Sequence, residues 1–276
     1  MAIDTNAIAV MLPSISPGDK WVKSVICDDF AMVVRQPVSG PITEFALSLA
    51  ATQGVVWDVG SFTIEPTMTL GAGAGTTIVL ESGYDGVLVS YNLGVSWATV
   101  TLPDGQASAL IGHANGMFIR LSTYGLVYSS PTGAVWTAHG AADYGGEPML
   151  WDAIIFSGGY YYLAGAVYLG GSFRACVAKS ADLTTWAYSV LGGAVTEAGI
   201  AAVGGVLVAT ILPGNTVKTS ADGTVWATVD ITDAVSGLGY NMGGPAAVGG
   251  VLAIPLVDQG YVRATEDGGA TWELIS

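Results

Sequence analysis

Short apolar runs separated by turn residues follow one another along the whole chain. Runs such as Phe30–Arg35 and Tyr160–Gly165 are rich in β-branched and aromatic residues, and Gly, Asn-Gly or Asp-Asp turns precede such runs. Glycine supplies the positive φ that these turns need, and Asp and Ser side chains hydrogen-bond the backbone of the turn. No segment shows an apolar period of 3.6 residues over three turns. The pattern predicts an all-β chain of short strands with little helix.

Six tryptophans divide the chain into units of similar length. They lie at positions 57, 97, 136, 186, 226 and 272, and successive members are 40, 39, 50, 40 and 46 residues apart. Each ends a similar phrase, of which the clearest is Thr265-Glu-Asp267-Gly-Gly269-Ala-Thr271-Trp272. We call these segments the tryptophan phrases, and the other copies are residues 50–57, 90–97, 129–136, 180–186 and 220–226. Their recurrence predicts a repeat architecture.

A second repeated segment precedes the phrases and sets the number of repeats. Ala201–Leu207 recurs letter for letter as Ala246–Leu252, and the segments that begin at Trp21 and Trp151 align without a gap. Trp21 therefore opens a repeat, and the count is six. Each repeat reads as four strands, with the phrase between the third and the fourth strand and the fourth strand beginning at the tryptophan. Such units predict a single six-bladed β-propeller of four-stranded antiparallel blades.

The repeats also predict the boundaries along the chain. The propeller is expected over residues 19–276, with blades at about 19–60, 61–100, 101–139, 140–190, 191–230 and 231–276. Residues 1–18 fall outside the repeats, and their apolar run Ile8–Leu12 can form a strand. We expect this N-terminal segment either to close the ring beside the last blade or to form an arm that docks on another protein.

The tryptophan phrase resembles the Asp-box, Ser/Thr-x-Asp-x-Gly-x-Thr/Ser-Trp, of the sialidase-like β-propellers, also called the BNR repeat. The match is strong for residues 265–272 and partial elsewhere, because Asn92, Pro131 and Thr52 stand where the family has Asp. In that family the box is a fold element between the third and fourth strands of a blade. The resemblance implies structural roles, with no catalytic or metal-binding role, for Trp57, Trp97, Trp136, Asp182, Trp186, Asp222, Trp226, Asp267 and Trp272.

Composition and charge exclude several classes of partner. Hydrophobic residues make up 51% of the chain and charged ones 11%, and 22 acids against 8 bases give a formal net charge of −14. So few bases argue against nucleic acid and against an anionic membrane surface, because both attract Lys and Arg. The most apolar stretch, residues 198–212, is shorter than the roughly 20 residues of a spanning helix, so no membrane insertion is expected. Asp4 does not fit a signal peptide, and we expect a soluble protein.

Metal and cofactor sites are not expected from the sequence. Cys27 and Cys176 have no CxxC spacing, and His113, placed in a turn, is far along the chain from His139. No nucleotide-binding or nucleophile-elbow motif occurs in a suitable context.

Ligand binding is expected on the face that carries the connections between blades and those between second and third strands, because binding loops vary on a rigid scaffold. Flat aromatic rings beside acids suit sugars, which offer an apolar face and a rim of hydroxyls. The ordinary alternative is that scattered surface tyrosines have no such role. The candidate ligand-binding residues are Tyr84, Asp85, Tyr124, Tyr144, Tyr168 and Tyr240.

An enzymatic role is disfavoured, and no catalytic residue is assigned. Sialidase chemistry needs several arginines that converge on a carboxylate, and in that family they come mainly from first strands. Here the arginines are expected within or at the ends of second or third strands, at Arg35, Arg120, Arg174 and Arg263. The abundance of acids leaves another carboxylate pair open, so a glycoside hydrolase acting on a surface polysaccharide remains the alternative.

The composition is similar to that of tail or adsorption proteins of bacterial viruses, being low in Lys and rich in Gly, Ala, Val and Thr. This similarity predicts a non-enzymatic receptor-binding module of the virion tail that recognises a cell-surface glycan or a protein receptor. Other tail proteins would attach through residues 1–18 or through the face that carries the boxes, and a homo-oligomer is possible. A third reading is a scaffold similar to the propeller factors that assist assembly of photosynthetic complexes.

Overall fold

The computed structural model describes residues 20–26, 30–36, 44–49, 58–61, 71–82, 86–195, 197–212, 216–231, 242, 244–248, 250–256 and 261–275. For the first four segments only the backbone course is given. The described residues contain no α-helix, and so none with the length and apolarity needed to cross a membrane. The chain divides into two compact units, residues 1–138 and 139–276.

Three four-stranded sheets begin in the first unit. The first sheet contains β1 (Lys20–Ile26), β2 (Phe30–Gln36), β3 (Glu44–Leu49) and β4 (Asp58–Ser61). The second contains β5 (Gly71–Ala74), β6 (Thr77–Glu81), β7 (Gly86–Ser90) and β8 (Ala98–Thr101). The third contains β9 (Ser108–Ala114), β10 (Met117–Ser122), β11 (Leu126–Ser130) and β12 (Thr137–Ala141).

Three further four-stranded sheets belong to the second unit. The fourth sheet contains β13 (Met149–Ser157), β14 (Tyr160–Leu169), β15 (Ser172–Ser180) and β16 (Ala187–Gly192). The fifth contains β17 (Glu197–Val203), β18 (Val206–Leu212), β19 (Thr216–Ser220) and β20 (Ala227–Asp230). The sixth contains β21 (Ala246–Val248), β22 (Val251–Leu256), β23 (Tyr261–Thr265) and β24 (Glu273–Ile275).

Every one of these sheets is an antiparallel meander in chain order, which confirms the predicted all-β class and its four-stranded sheets. In such a meander the connections between strands one and two and between strands three and four share one end, and the connection between strands two and three lies at the other. We call the first the tryptophan end, because the tryptophan phrases lie there, and the second the loop end.

Three apolar clusters of described residues each lie between two consecutive sheets of one unit. In the second unit one cluster joins the fourth and fifth sheets, including Ala164, Ala175, Ile200 and Leu207. A second cluster joins the fifth and sixth sheets, and in the first unit a third cluster joins the second and third sheets. Burial of such side chains contributes roughly 1.5–3 kcal/mol for each large one, so contact between sheets is a principal source of stability.

The turn at residues 220–226 shows how a tryptophan phrase is held. The Ser220 Oγ accepts from the Gly223 N–H at 2.8 Å, and the Asp222 Oδ1 accepts from the N–H groups of Thr224 at 2.8 Å and Val225 at 3.1 Å. The Trp226 Nε1–H donates to the Gly223 carbonyl at 3.2 Å. Hydroxyl, carboxylate and indole thus satisfy the polar backbone of one tight turn.

The phrases at residues 180–186 and 265–272 repeat this arrangement with Asp182 and Asp267. The hydrogen bonds that each carboxylate accepts hold the pKa values of Asp182, Asp222 and Asp267 below their ordinary range.

In the described phrases the fourth strand begins one residue after the tryptophan, not at the tryptophan as expected. The phrase at residues 50–57, with Thr52 and Trp57, lies outside the described residues.

Two phrases depart from this arrangement in their polar residues. Asn92 replaces the acid in the second sheet, and its Oδ1 accepts from the Ser96 N–H at 2.9 Å. In the third sheet the alignment from sequence is wrong by one residue. Ser130, not Ser129, accepts from the Gly133 N–H at 2.8 Å. Thr132, not Pro131, therefore stands at the place of the acid, because this phrase has seven residues, 130–136, like the phrase at residues 220–226.

The turns at Gly223 and Gly268 also touch the preceding sheet of the second unit. A Cβ built at Gly223 would overlap the ring of Tyr162 in β14, and one at Gly268 would meet Val206 in β18 at 2.8 Å. Trp226 packs against the core cluster between the fourth and fifth sheets. The glycine is needed both for its positive φ, 75° at Gly223, and for this close approach.

Candidate functional site

The fourth sheet extends farther at its loop end than the other described sheets. The pair Tyr161–Ser180 in the fourth sheet is equivalent to the pair Leu207–Ser220 in the fifth. From that pair β14 continues for eight residues to Leu169, whereas β18 continues for five residues to Leu212. The difference of about three residues corresponds to roughly 10 Å of strand. Gly170 and Gly171, with φ of 61° and 90°, form the two-residue turn at the tip. The fourth sheet therefore presents a longer hairpin than its neighbour.

A β-bulge in the first strand of this sheet places an acid at the same end. Trp151 pairs with Gly165 and Ala153 pairs with Ala164, so Asp152 is the extra residue. A Cβ built at Gly165 would overlap the Leu150 carbonyl, and glycine therefore leaves room for the bulge. Bulges redirect the side chains that they carry. The equivalent irregularity lies between Trp21 and Lys23 in β1, as the gapless alignment of these segments suggests.

The redirected Asp152 carboxylate reaches the first strand of the fifth sheet. Its Oδ2 accepts from the Ala198 N–H at 2.9 Å, next to the exposed Glu197. Desolvation by the surrounding protein raises the pKa of Asp152 to about 6, and the Glu197 charge adds to the rise, while the hydrogen bond from Ala198 opposes it. Two neighbouring first strands thus bring two carboxylates together, and such a pair can accept hydrogen bonds or hold a cation.

Apolar side chains continue toward the loop end on the face of the fourth sheet that packs on the fifth. Leu150 is 45% exposed and Tyr168 is 39% exposed. Leu150 lies opposite Ala166, which belongs to the cluster between the two sheets, and Tyr168 follows Ala166 by two residues, so both share that face. The Tyr168 ring contacts Phe173 at 5.2 Å between centroids, and Phe173 packs on the same cluster.

The predicted ligand-binding residues are distributed over different places. Tyr168 lies at the end just described. Tyr144 lies in the connection before β13 and packs edge-on at 5.3 Å against Tyr188, in the outermost strand of the fourth sheet. Tyr124, in the first unit, is 72% exposed in the turn between β10 and β11. Tyr84, Asp85 and Tyr240 lie outside the described residues.

Asp152, Glu197 and Leu150 were missed by the sequence reasoning. Asp152 follows a tryptophan in an apolar strand, and nothing local marks it as a bulge residue. The absence of a side chain at Gly165, opposite that tryptophan, is a possible signal, since an isolated glycine in a strand often marks a bulge. Glu197 could be assigned to the site only by knowing which strands of different sheets are neighbours.

The arginines lie in second or third strands, as predicted, in β2, β10, β15 and β23. Arg120 is fully buried, and its Nη1 lies 2.9 Å from the Asp104 carboxylate. Its Nε donates to the Ser108 Oγ at 3.0 Å, its Nη2 donates to the Gln106 carbonyl, and its guanidinium lies over the Tyr128 ring. Arg120 therefore anchors the connection before β9 and is not available to a ligand.

His113 also differs from its expected place. It lies within β9, and the turn that follows is formed by Asn115 and Gly116. Its ring packs against Phe118 at 5.0 Å between centroids, and burial lowers the pKa of the imidazole.

Comparison with known proteins places the fold. No protein-family model matches the chain, and no curated protein matches it. Among solved structures, YCF48 bound to D1 peptide shares 14% identity, with 97% of this chain and 87% of that chain covered and a TM-score of 0.61. A catalytically inactive virginiamycin B lyase from Staphylococcus aureus with quinupristin shares 9% identity, covers 96% and 86%, and has a TM-score of 0.68.

The GH74 xyloglucanase from Xanthomonas campestris shares 16% identity over 89% of this chain and 45% of its own, with a TM-score of 0.62. These proteins are β-propellers, and the predicted β-propeller class is thereby confirmed. Identities this low show the fold alone. The similar structures include a lyase, a glycoside hydrolase and a peptide-bound protein, so the fold itself does not choose between catalysis and binding.

Proposed function

We propose that this chain is a non-enzymatic binding module that recognises a cell-surface glycan through its loop end. The observation that carries the proposal is the exposed Tyr168 ring on the longest hairpin of the described sheets, at the same end of the fourth sheet as the Asp152 carboxylate that reaches the fifth sheet next to Glu197. An aromatic ring covers the apolar face of a sugar, and carboxylates accept hydrogen bonds from its hydroxyls. Binding sites commonly combine apolar surface with a few such polar groups.

The proposal includes the architecture expected from the repeats. The described strands form six four-stranded sheets, which supports a single six-bladed ring with the tryptophan phrases as Asp-boxes. Residues 1–18, which lie outside the described residues, would then close the ring or form an arm.

The proposed setting is the tail of a bacterial virus, and it rests on the composition. There the chain would act as a receptor-binding or adsorption protein of the virion. Other tail proteins would attach through residues 1–18 or through the tryptophan end, and further copies of the chain are possible partners. The adsorption surface would remain free, because the loop end lies opposite the tryptophan end in each sheet.

Retention on immobilised bacterial surface polysaccharides tests the binding function. Tyr168→Ala should reduce retention at least several-fold without changing the unfolding temperature. Tyr160→Ala is the matched control, because Tyr160 is also 39% exposed and begins the same strand at the tryptophan end. Equal losses in the two variants, or no retention of the parent protein on any polysaccharide, would contradict the proposal.

A glycoside hydrolase is the second candidate, and one observation favours it. A carboxyl group whose pKa is raised to about 6 beside a second carboxylate is suited to act as a general acid. Release of reducing ends from the same polysaccharides measures this activity. Release that disappears in both Asp152→Asn and Glu197→Gln would replace the binding module by an enzyme.

A protein receptor is the remaining alternative. It is supported by the structural similarity to YCF48, which has been seen with a bound peptide. Retention on a protein fraction of the cell surface that survives removal of all polysaccharide would favour it over the glycan.

A further inference from the structure

The loop end of the fourth and fifth sheets combines apolar and acidic side chains on one surface of the second unit. We call it the fourth-sheet surface and define it by Leu150, Asp152, Tyr168, Phe173 and Glu197. Its apolar part continues the core cluster between the two sheets outward, since Phe173 packs on that cluster and Leu150 and Tyr168 lie beyond it. The connection before β17 packs on this face through Val195, and Leu150 and Tyr168 remain exposed.

The backbone under this surface is firmly held. The Tyr168 N–H donates to the Pro148 carbonyl at 2.9 Å, which continues the strand pairing toward the tip. The Val195 N–H donates to the Phe173 carbonyl at 3.0 Å, and Val195 itself is 7% exposed. The side chains are therefore presented by an ordered hairpin and not by a free loop, which lowers the entropy lost when a ligand binds.

The charge of this surface is negative. The Asp152 carboxylate accepts one backbone N–H, and Glu197 is exposed beside it. In the described part of the chain neither forms an ion pair. The basic residue near the tip of this hairpin is Arg174. It pairs with Val167, and the register places both residues on the opposite face of the fourth sheet. A ligand that complements this surface therefore brings its own positive charge.

We infer that the glycan bound at the fourth-sheet surface carries free amino groups, with an ammonium group at Asp152 and Glu197 and a sugar ring on Tyr168. This inference rests on the proposed glycan-binding function and names its ligand class. Tyr168 lies three residues beyond Gly165, the partner of Trp151, so its backbone is about 10 Å from the bulge along the strand. A chain of amino sugars can place one sugar ring on Tyr168 while the ammonium group of a neighbouring sugar reaches the two acids. The acids also repel glycans that bear carboxylates or phosphates.

Isothermal titration with two tetrasaccharides of equal length tests the inference. One is a β-1,4-linked tetramer of glucosamine, and the other is the same tetramer fully N-acetylated, which lacks the charge. At pH 6.5 and low salt the glucosamine tetramer should bind about tenfold more tightly, because two partly exposed ion pairs together contribute up to about that factor. In 0.5 M NaCl the preference should fall below about threefold.

Paired variants locate the effect. Asp152→Asn with Glu197→Gln should abolish the preference for the glucosamine tetramer while affinity for the N-acetylated one is kept, which also shows that the variant is folded. Glu266→Gln with Glu273→Gln removes the same formal charge from exposed acids of the sixth sheet and should leave the preference intact.

Several outcomes separate this inference from the function on which it rests. Equal binding of the two tetramers, or retention on other polysaccharides but no binding of either tetramer, would overturn the amino-sugar inference and leave glycan binding in place. Binding of a tetralysine peptide with no binding of any glycan would overturn both. A preference that persists in the Asp152 and Glu197 double variant would show that another surface holds the cation.

Discussion

The tryptophan end and the loop end of the same sheets are built on different principles. At the tryptophan end, Ser220, Asp222 and Trp226 hold a turn whose hydrogen bonds recur with Ser180, Asp182 and Trp186 one sheet earlier. At the loop end, the fourth sheet has an extended hairpin and a bulge, whereas the fifth sheet ends three residues earlier. Repetition at one end maintains the stacking of sheets, and variation at the other provides a place for specific recognition.

The largest loss of stability is expected in the first unit, where the buried ion pair of Arg120 and Asp104 holds the connection before β9. Arg120→Met should lower the free energy of unfolding by about 4 kcal/mol, because the buried Asp104 carboxylate loses its partner. The measurement is urea denaturation. Arg174→Met is the control, since Arg174 is exposed at the loop end, and it should change stability by less than about 0.5 kcal/mol. A loss below about 1 kcal/mol for Arg120→Met would show that the connection is held by other contacts.

A smaller effect is expected at the tryptophan end. Gly223→Ala should lower the free energy of unfolding by about 2–3 kcal/mol, because the added methyl group meets both a φ of 75° and the ring of Tyr162. Gly205→Ala is the control, because Gly205 has a similar φ of 80° but an added Cβ would meet no atom within 4 Å. It should therefore lower stability by only about 1 kcal/mol. Equal losses would mean that the contact between sheets contributes nothing.

The smallest effect concerns the bulge residue and depends on pH. Because the pKa of Asp152 rises from 3.8 to about 6 on folding, the folded chain holds a proton between pH 4 and 6 that the unfolded chain has lost. The ionised group therefore lowers stability as the pH rises through this window. Asp152→Asn should be more stable than the parent by about 1 kcal/mol at pH 7.5, after allowance for solvent screening, and equal to it at pH 4.

Thermal unfolding at the two pH values measures this difference. Glu147→Gln, at an exposed acid in the connection before β13, is the control, and a gain at pH 7.5 that it reproduces would reflect loss of surface negative charge and not burial of Asp152. A lower melting temperature of Asp152→Asn at pH 7.5 would indicate that the charged form strengthens the bond to Ala198 enough to outweigh its desolvation.

The repeats could be predicted because their signals are local. A hydroxyl, an acid and a glycine within one phrase define the turn by themselves, and apolar runs on either side define the strands. Where the phrase is degenerate, the same reasoning failed by one residue, as at Ser130 and Thr132. Leu183 shows why composition alone is a weak guide, since it takes the left-handed conformation, with φ of 64°, at the place where Gly223 stands in the next sheet.

The candidate site was predictable only in part. Tyr168 was named because the sequence predicted it in a connection between a second and a third strand, whereas the structure places it within β14, and its neighbours at the site were not found. The proximity of Asp152 to Ala198 joins residues in different sheets, and no periodicity within one repeat reports it. Tyr144 was expected on the same surface, but the connection that carries it turns toward Tyr188 in the outermost strand.

By itself the sequence determined the strand order, the turn chemistry and the acidic character of this protein, because each depends on residues adjacent in the chain or on composition. The tertiary structure decided which acids meet and which rings are exposed. Those outcomes depend on a bulge opposite Gly165, on the length of one hairpin and on the stacking of the fourth sheet against the fifth. Packing between sheets places residues far apart in sequence within hydrogen-bonding distance, and that information is not contained in any single repeat.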